Sequence, residues 1–214
     1  SSRHDAEAAR VDPENRLHWQ ASSRRLEAEA VRDAILAVSS QLNTTMRGSL
    51  LKTENRERVT YINEDDETGY DFTRRSIYLP VIRNNLYDVF SLFDYANASM
   101  IDGNRSTTTI APQALFLMNS DFVWKATGQM VSELLANGVA DIKPEADTNR
   151  IQTLYLTAYG RTATRDEVAR AQAFLERAEA GSRAAELEFV PPRLGAWQLL
   201  CQVVLAADEF IYVR

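Results

Sequence analysis

The sequence has few of the residues that build metal centres and nucleophilic sites. Its 214 residues include one cysteine, Cys201, and two histidines, His4 and His18. An internal disulfide and a cysteine-based metal site are therefore excluded, and two histidines are too few for most histidine-based zinc sites. Because Cys201 lies among apolar residues such as Leu200 and Val204, we predict a buried small hydrophobic residue rather than a reactive thiol.

Glycine and long apolar segments are also scarce, and the 30 acidic residues outnumber the 24 basic ones. The eight glycines form no glycine-rich phosphate-binding loop. No apolar run approaches the roughly 20 residues that a membrane-spanning helix needs. The net charge of -6 argues against a nucleic-acid partner, which usually contacts a basic face. What is present is the composition of an ordinary globular protein, 45% hydrophobic and 25% charged.

Hydrophobic periodicity predicts a mainly α-helical fold, a helical bundle-like domain with a small β-hairpin and long irregular loops. Apolar residues at helical spacing predict a first long helix over residues 22–43, with Ser22 or Ser23 as its cap. Thr164 and Glu167 form a capping box at the start of a later helix. The last helix is apolar on most sides and is expected to be central. With these two included, the helices after the first are expected over residues 112–118, 121–136, 148–159, 164–180 and 194–207.

The hairpin is predicted from two segments with strand character, residues 56–62 and 75–82. Pro80 would place the second strand at an edge. The acidic loop between them, residues 63–69, lacks the glycine position and closing glutamate of an EF-hand, so we expect no metal there. Residues 1–14 are expected to be a disordered end or a linker before a domain over residues 15–214. An alternative division places a boundary near residues 137–147.

Basic residues around an apolar segment form the candidate ligand site. Arg74, Arg75, Arg83 and Arg105 would bind a carboxylate or sulfate if they meet in space, because guanidinium groups bind such anions through two parallel hydrogen bonds. Tyr78 would supply a surface for sugar stacking or hydrogen bonding. The alternative is that these arginines bond buried carbonyls and helix ends in a loop-rich region.

Carboxylates on the first long helix are the only acid/base candidates. Glu29 and Asp33 share this helix, and paired carboxylates hydrolyse glycosides at suitable separations. The alternative is that both are ion-paired with nearby arginines. No complete catalytic set is recognisable, so we lean towards a chain that is not an enzyme.

Five segments carry a family resemblance: residues 24–39, 75–81, the pair Phe93–Asp94, 107–119 and 200–213. Together they resemble the planctomycete surface domain family, domain of unknown function 1553. They follow the family's order and span nearly the whole chain from about Asn15. Two places differ from the family's usual residues: Asp208, where asparagine is common, and the run that begins at Tyr95.

The resemblance implies a larger protein of which this chain is the C-terminal part. Such proteins are exported to the periplasm or cell surface, and their upstream domains often include a cytochrome-c-like haem domain. A Cys-x-x-Cys-His motif is absent here, so no cofactor is expected in this fragment. Some family members lie near genes for sulfatases and polysaccharide breakdown. The upstream domains of the same polypeptide are therefore the expected partners.

These observations lead to two functional hypotheses. The first is a non-catalytic scaffold or interaction module in a redox or polysaccharide-processing setting. Exposed outer faces on the last helix and tail would favour it, because exposed apolar surface indicates a partner. The alternative is binding or processing of an acidic or sulfated carbohydrate at the arginine-rich pocket. A concave pocket that gathers those side chains would favour the alternative, and their scatter over separate surfaces would argue against it.

Overall fold

The computed structural model describes residues 5–21, 23–46, 48, 50, 72–81, 86–96, 99, 101, 103, 105–135, 146–184 and 191–213. The mainly α-helical fold class is confirmed. The helices are Ala6–Val11 (α1), Ala28–Val38 (α2), Asp88–Leu92 (α3), Ala111–Asn119 (α4), Asp121–Leu134 (α5), Asp147–Tyr159 (α6), Arg165–Ala184 (α7), Pro192–Ala206 (α8) and Asp208–Ile211 (α9). A 3-10 helix covers Ser76–Tyr78, and the strands are Arg24–Arg25 (β1) and Tyr212–Val213 (β2).

Helix α8 lies at the centre of the fold, as its apolar sequence predicted. It packs against α4, α5, α6 and α7. Trp197, Cys201 and Leu205 on α8 are fully buried. The same buried cluster includes Leu135, at the end of α5, and Ile151 of α6. One hydrophobic core therefore contains residues from both sides of the segment near residues 137–147. None of the described helices has the length and apolar character needed to cross a membrane.

Local signals correctly placed the helices of the second half of the chain. The Ser120 hydroxyl accepts a hydrogen bond from the Val123 amide at 3.3 Å and caps α5. Gly160 ends α6 in the left-handed region, at a φ of 69°. The predicted capping box is present at α7, because Thr164 N donates to Glu167 at 2.7 Å and Glu167 N donates to the Thr164 hydroxyl at 3.3 Å.

The first long helix is shorter than predicted. Helix α2 begins after Glu27, so Ser23 does not cap it, and it ends before Ser39. Arg24 and Arg25 instead form β1, which pairs antiparallel with β2 at the other end of the chain. Leu26 N continues the pairing by donating to Ile211 O at 2.8 Å. A strand formed with the C-terminal tail therefore replaces the predicted first turns of the helix.

The small antiparallel pair of strands is present, but it is not formed by residues 75–82. The prediction of a strand there is wrong, because Ser76–Tyr78 form a 3-10 helix. The Ser76 amide and hydroxyl both donate to Asp33, which fixes a turn. The other predicted strand, residues 56–62, and the acidic loop at 63–69 lie outside the described residues.

A short helix lies inside the segment expected to be a disordered end or linker. Asp5 caps α1 by accepting hydrogen bonds from Glu7 N at 2.9 Å and Ala8 N at 3.1 Å. Beyond α1, the indole of Trp19 donates to Asp12 O at 2.8 Å. The chain that leads towards β1 is thus organised by local hydrogen bonds.

Candidate functional site

The predicted acid/base residue Glu29 lies on the first turn of α2 and holds Arg105. Two guanidinium nitrogens of Arg105 donate to the two carboxylate oxygens of Glu29, at 2.8 and 2.9 Å. Arg105 also donates to Glu27 at 3.1 Å, and its guanidinium lies 5.1 Å from the Tyr95 ring centre. The hydrogen bond with Glu29 is the main reason that the pKa of Arg105 is raised. This bidentate pair argues against Glu29 as a proton donor, and that role stays a prediction.

Asp33, one turn further along α2, binds the first residue of the 3-10 helix. Its carboxylate accepts hydrogen bonds from Ser76 N at 2.8 Å and from the Ser76 hydroxyl at 2.6 Å. The neighbouring Arg32 is fully buried. It donates to Arg74 O at 2.8 Å, to the Ser76 hydroxyl at 3.2 Å and to Phe72 O. Both side chains therefore hold residues 72–76 against α2, and acid/base chemistry at Asp33 stays a prediction.

The predicted ligand residues fall into two groups on the described part of the chain. Arg74 lies over the Tyr78 ring, 4.5 Å from its centre, and donates to Thr45 O at 2.9 Å. Arg75 is exposed beside them, and Arg83 lies outside the described residues. Arg105 lies in the second group, with Glu27 and Glu29. Glu29 binds Arg105 of the second group, and Asp33 binds Ser76, which is next to Arg75 in the chain.

Only Arg105 of the predicted ligand residues lines the cleft of about 560 Å³ at the start of α2, among the residues that the structure describes. This cleft, which we call the α2 cleft, is formed by the end of β1, the chain after α3 and the chain before α4. Sequence reasoning missed the role of Arg24, Arg25 and Asp94 here, although Phe93–Asp94 carried part of the family resemblance. Its described lining is Arg24, Arg25, Leu26, Glu27, Phe93, Asp94, Ala96, Gly103, Arg105, Ser106 and Thr107.

Arg25 is a buried residue in the lining of the α2 cleft. Its side chain is only 3% exposed and donates to Asp94 at 2.5 Å. Asp94, at a φ of 59°, also accepts hydrogen bonds from Thr108 N at 2.8 Å and the Thr108 hydroxyl at 2.9 Å. The Nε and Nη1 groups of Arg25 are buried without an acceptor among the described residues. An unsatisfied buried donor costs about 1–3 kcal/mol, so this side chain lacks hydrogen bonds that it would otherwise make.

Positive and negative side chains pair at the α2 cleft. Arg24 pairs with Glu27 at 2.9 Å, Arg25 with Asp94, and Arg105 with both Glu27 and Glu29. Among the described residues, the lining holds three guanidinium groups and two carboxylates, and Glu29 binds Arg105 from outside the lining. An anionic ligand at Arg105 has to compete with Glu27 and Glu29. The described part of the cleft is thus polar, and each of its arginines is already paired with a carboxylate.

A second surface is apolar and lies where α4 meets α8. The side chains of Leu115 and Met118 on α4 are 56% and 58% exposed, and Leu199 and Val203 on α8 are 36% and 50% exposed. The Gln202 amide donates to Met118 O at 2.6 Å, which places the exposed side of α8 beside the last turn of α4. We call these four residues the α4–α8 surface.

Helix α4 has an unusual distribution of polar and apolar residues. Its polar residue Gln113 is buried, with the side-chain amide donating to Leu92 O at 2.9 Å and Thr108 O at 3.2 Å. The apolar residues Ala114, Leu115 and Met118 are exposed instead. In an isolated soluble domain the reverse is normal. The sequence signal for this surface was the nearly continuous apolar run in α4, which allows apolar residues on more than one face.

Neither a metal-binding cluster nor an exposed thiol is found in the part of the chain that the structure describes. No group of three or more histidine, cysteine, aspartate or glutamate side chains there is arranged to hold a metal ion. Cys201 is fully buried, as predicted, and burial raises the pKa of its thiol to about 12. A thiol with this pKa stays protonated near neutral pH and is not a nucleophile.

Comparison with family models supports the resemblance. The family described as "PSD1: Protein of unknown function (DUF1553)" matches residues 1–175. The chain belongs to this family. The PSD1 match includes the elements that form the α2 cleft and α4, and it ends within α7, before α8. No curated protein and no solved structure matches the chain. Functional arguments for this PSD1 protein therefore rest on its own geometry.

Proposed function

We propose that this PSD1 protein is a non-catalytic interaction module whose α4–α8 surface binds an apolar face of another domain of the same polypeptide. The observation that carries the proposal is the exposure of Leu115 and Met118 on a helix whose polar Gln113 is buried. Contiguous exposed apolar residues are characteristic of protein contact sites. The exposure of Leu199 and Val203 on the outer side of α8 supports the proposal, whereas Phe210 and Ile211 of the tail are buried.

The size of this surface favours a tethered partner. Fully burying an aliphatic side chain contributes about 1.5–3 kcal/mol, so completing the burial of four half-exposed side chains contributes roughly 3–6 kcal/mol. Association of separate molecules opposes this with a cost of similar or larger size. A partner in the same polypeptide is present at a millimolar effective concentration, at which such a contact forms.

The wider setting of the module is also part of the proposal. The resemblance to the planctomycete surface domain family supports an exported, periplasmic or cell-surface protein, of which this chain is the C-terminal part. It supports upstream domains, such as a cytochrome-c-like domain, as the source of the partner surface. A scaffold role in a redox or polysaccharide-processing protein follows from the same resemblance.

Site-specific photo-crosslinking in the full-length protein tests the proposal. A photoreactive amino acid replaces Met118 or, as the matched control, Leu156, which is 57% exposed on α6. We expect cross-links from position 118 to a defined peptide of another domain, and few from position 156. Leu115→Gln together with Val203→Gln should abolish the cross-links without unfolding the chain, because exposed substitutions change stability by about 0.5 kcal/mol or less. Equal cross-linking from positions 118 and 156 would contradict the proposal.

The second candidate is binding of an acidic or sulfated carbohydrate. It is supported by the stacking of Arg74 on Tyr78 and by the position of Arg105 in the α2 cleft. Arg105 is already paired with Glu27 and Glu29, which argues against carbohydrate binding there. A thermal-shift screen with sulfated and uronic oligosaccharides, using Arg75→Ala and Arg105→Ala, tests this candidate. Stabilisation that both folded variants lose would favour it over the interaction module.

A further inference from the structure

The α2 cleft is shaped by contacts that exist before any ligand enters. Arg25 bonds Asp94, and Asp94 bonds the amide and hydroxyl of Thr108. On the opposite side, Leu26 N bonds Ile211 O. These bonds join β1, the chain after α3 and the chain before α4. A site held in this way loses little conformational freedom when a ligand binds.

The lining of the cleft contains both hydrogen-bond donors and hydrogen-bond acceptors. Arg24 and Arg105 present only donors, whereas Glu27 and Asp94 present only acceptors when ionised. The hydroxyls of Ser106 and, beside it, Thr107 do both. A ligand hydroxyl also does both, so it accepts from a guanidinium while it donates to a carboxylate. Neighbouring hydroxyls on one molecule therefore match this lining.

An anionic group matches the same lining poorly. Sulfate and carboxylate oxygens only accept hydrogen bonds, so they satisfy the arginines but repel Glu27 and Asp94. A neutral ligand meets no such repulsion, because it carries no charge, and each arginine of the lining keeps its carboxylate partner. The volume of about 560 Å³ is within the usual range for small-molecule sites.

We infer that the α2 cleft binds a neutral, polyhydroxylated ligand of the size of a short oligosaccharide, with vicinal hydroxyls bridging Arg105 and Glu27. This inference goes beyond the proposed interaction function and uses none of the residues of the α4–α8 surface. The two can therefore succeed or fail independently.

Isothermal titration of the 214-residue chain tests the inference. The neutral probes are cellotriose, xylotriose and mannotriose, and the acidic probes are trigalacturonate and inorganic sulfate. We expect millimolar or tighter binding of at least one neutral trisaccharide. Ser106→Ala and Thr107→Val should each weaken it about threefold to tenfold, the effect of one lost hydrogen bond. The matched control is Ser132→Ala, a serine replacement on α5 away from the cleft, which should leave affinity unchanged.

Glu27→Gln gives a result whose direction depends on the ligand. The substitution keeps the shape of the side chain but removes an acceptor charge. A neutral ligand should bind about threefold to tenfold more weakly to this variant. An acidic ligand should bind more tightly, because a repelling carboxylate has gone. Thermal melting of each variant confirms that it is folded.

Three results would overturn the inference. The first is no binding of any neutral trisaccharide at 10 mM or below, roughly the weak limit for a small-ligand site. Another is binding of the acidic probes alone, strengthened by Glu27→Gln. The last is binding of a neutral trisaccharide that Ser106→Ala and Thr107→Val leave unchanged, because the ligand would then lie elsewhere.

Discussion

Replacing Arg161 by methionine should remove a guanidinium that joins three parts of the fold. Arg161 follows α6 and donates to Glu167 in the first turn of α7, at 2.7 and 2.9 Å. It also donates to Glu209 of α9, at 2.6 and 2.7 Å. Its guanidinium lies 5.5 Å from the Tyr155 ring centre and 5.7 Å from that of Tyr159. The C-terminal tail that supplies β2 is therefore bonded to the α6–α7 connection through this side chain.

The effect on stability follows from the carboxylate that Arg161 holds. Its hydrogen bond to Glu167 is the largest cause lowering the pKa of that carboxyl from 4.5 to about 2. Each pKa unit corresponds to about 1.4 kcal/mol, which gives roughly 3 kcal/mol as an upper limit. Arg161 and Glu209 are 37% and 39% exposed, so solvent screens the network. We therefore expect Arg161→Met to lower the free energy of unfolding at pH 7 by about 1–2 kcal/mol.

The lowered pKa of Glu167 determines how the stability lost in Arg161→Met changes with pH. A carboxyl whose pKa is lower in the folded protein adds stability above its unfolded pKa and loses that contribution as the pH falls through its folded pKa. For Glu167 this interval runs from about pH 4.5 to about pH 2. Urea unfolding of the wild-type and variant proteins across this interval measures it. The difference between the two should be full at pH 7 and should shrink towards zero near pH 2.

Arg183→Met is the matched control. Arg183 forms an exposed pair with Glu179 on α7, four residues apart, and is 68% exposed. Its replacement should cost no more than about 0.5 kcal/mol at any pH. The reasoning would be refuted if both variants lost equal stability at pH 7. It would also be refuted if the loss for Arg161→Met were the same at pH 2 and pH 7.

Two further predictions concern buried groups. Arg32→Met should lower the free energy of unfolding by about 2–4 kcal/mol, because Phe72 O, Arg74 O and Ser76 lose a buried donor. Urea unfolding measures this loss, with the exposed residue change Arg24→Met as the control. A smaller loss for Arg32→Met than for Arg24→Met would contradict the prediction. Cys201 should react with a thiol reagent at pH 7 only on unfolding, because it is fully buried. A labelling rate in buffer equal to that in 6 M guanidinium chloride, roughly the concentration that unfolds most proteins, would contradict this.

The positions of the helices depended mainly on local sequence. Thr164 and Glu167, Ser120, and Gly160 begin or end helices through contacts within a few residues, so their patterns predicted those boundaries. The central position of α8 was also predictable, because a helix that is apolar on most sides has to be buried on most sides. Sequence patterns were sufficient to predict the helix boundaries, because the capping contacts are short-range. They were also sufficient to predict the central position of α8, because hydrophobic burial is non-directional.

Tertiary structure alone decided the strands and the candidate sites. Arg24 and Arg25 precede the helical sequence pattern of α2. They nevertheless pair with Tyr212 and Val213, because the fold brings these two segments together. Nearby residues in the sequence do not predict the partner of the Glu29 carboxylate. In the folded chain this carboxylate accepts a hydrogen bond from Arg105, 76 residues away in sequence.

The two proposed surfaces have the same long-range origin. The pairing of charges in the α2 cleft depends on which distant arginines and carboxylates meet, and the exposure of Leu115 and Met118 depends on which face of α4 the neighbouring helices cover. The sequence by itself determined the helical class, most helix ends and the buried centre of this protein. The folded chain determined which charged groups remain for a ligand and which apolar groups remain for a partner, because both depend on contacts between residues far apart in sequence.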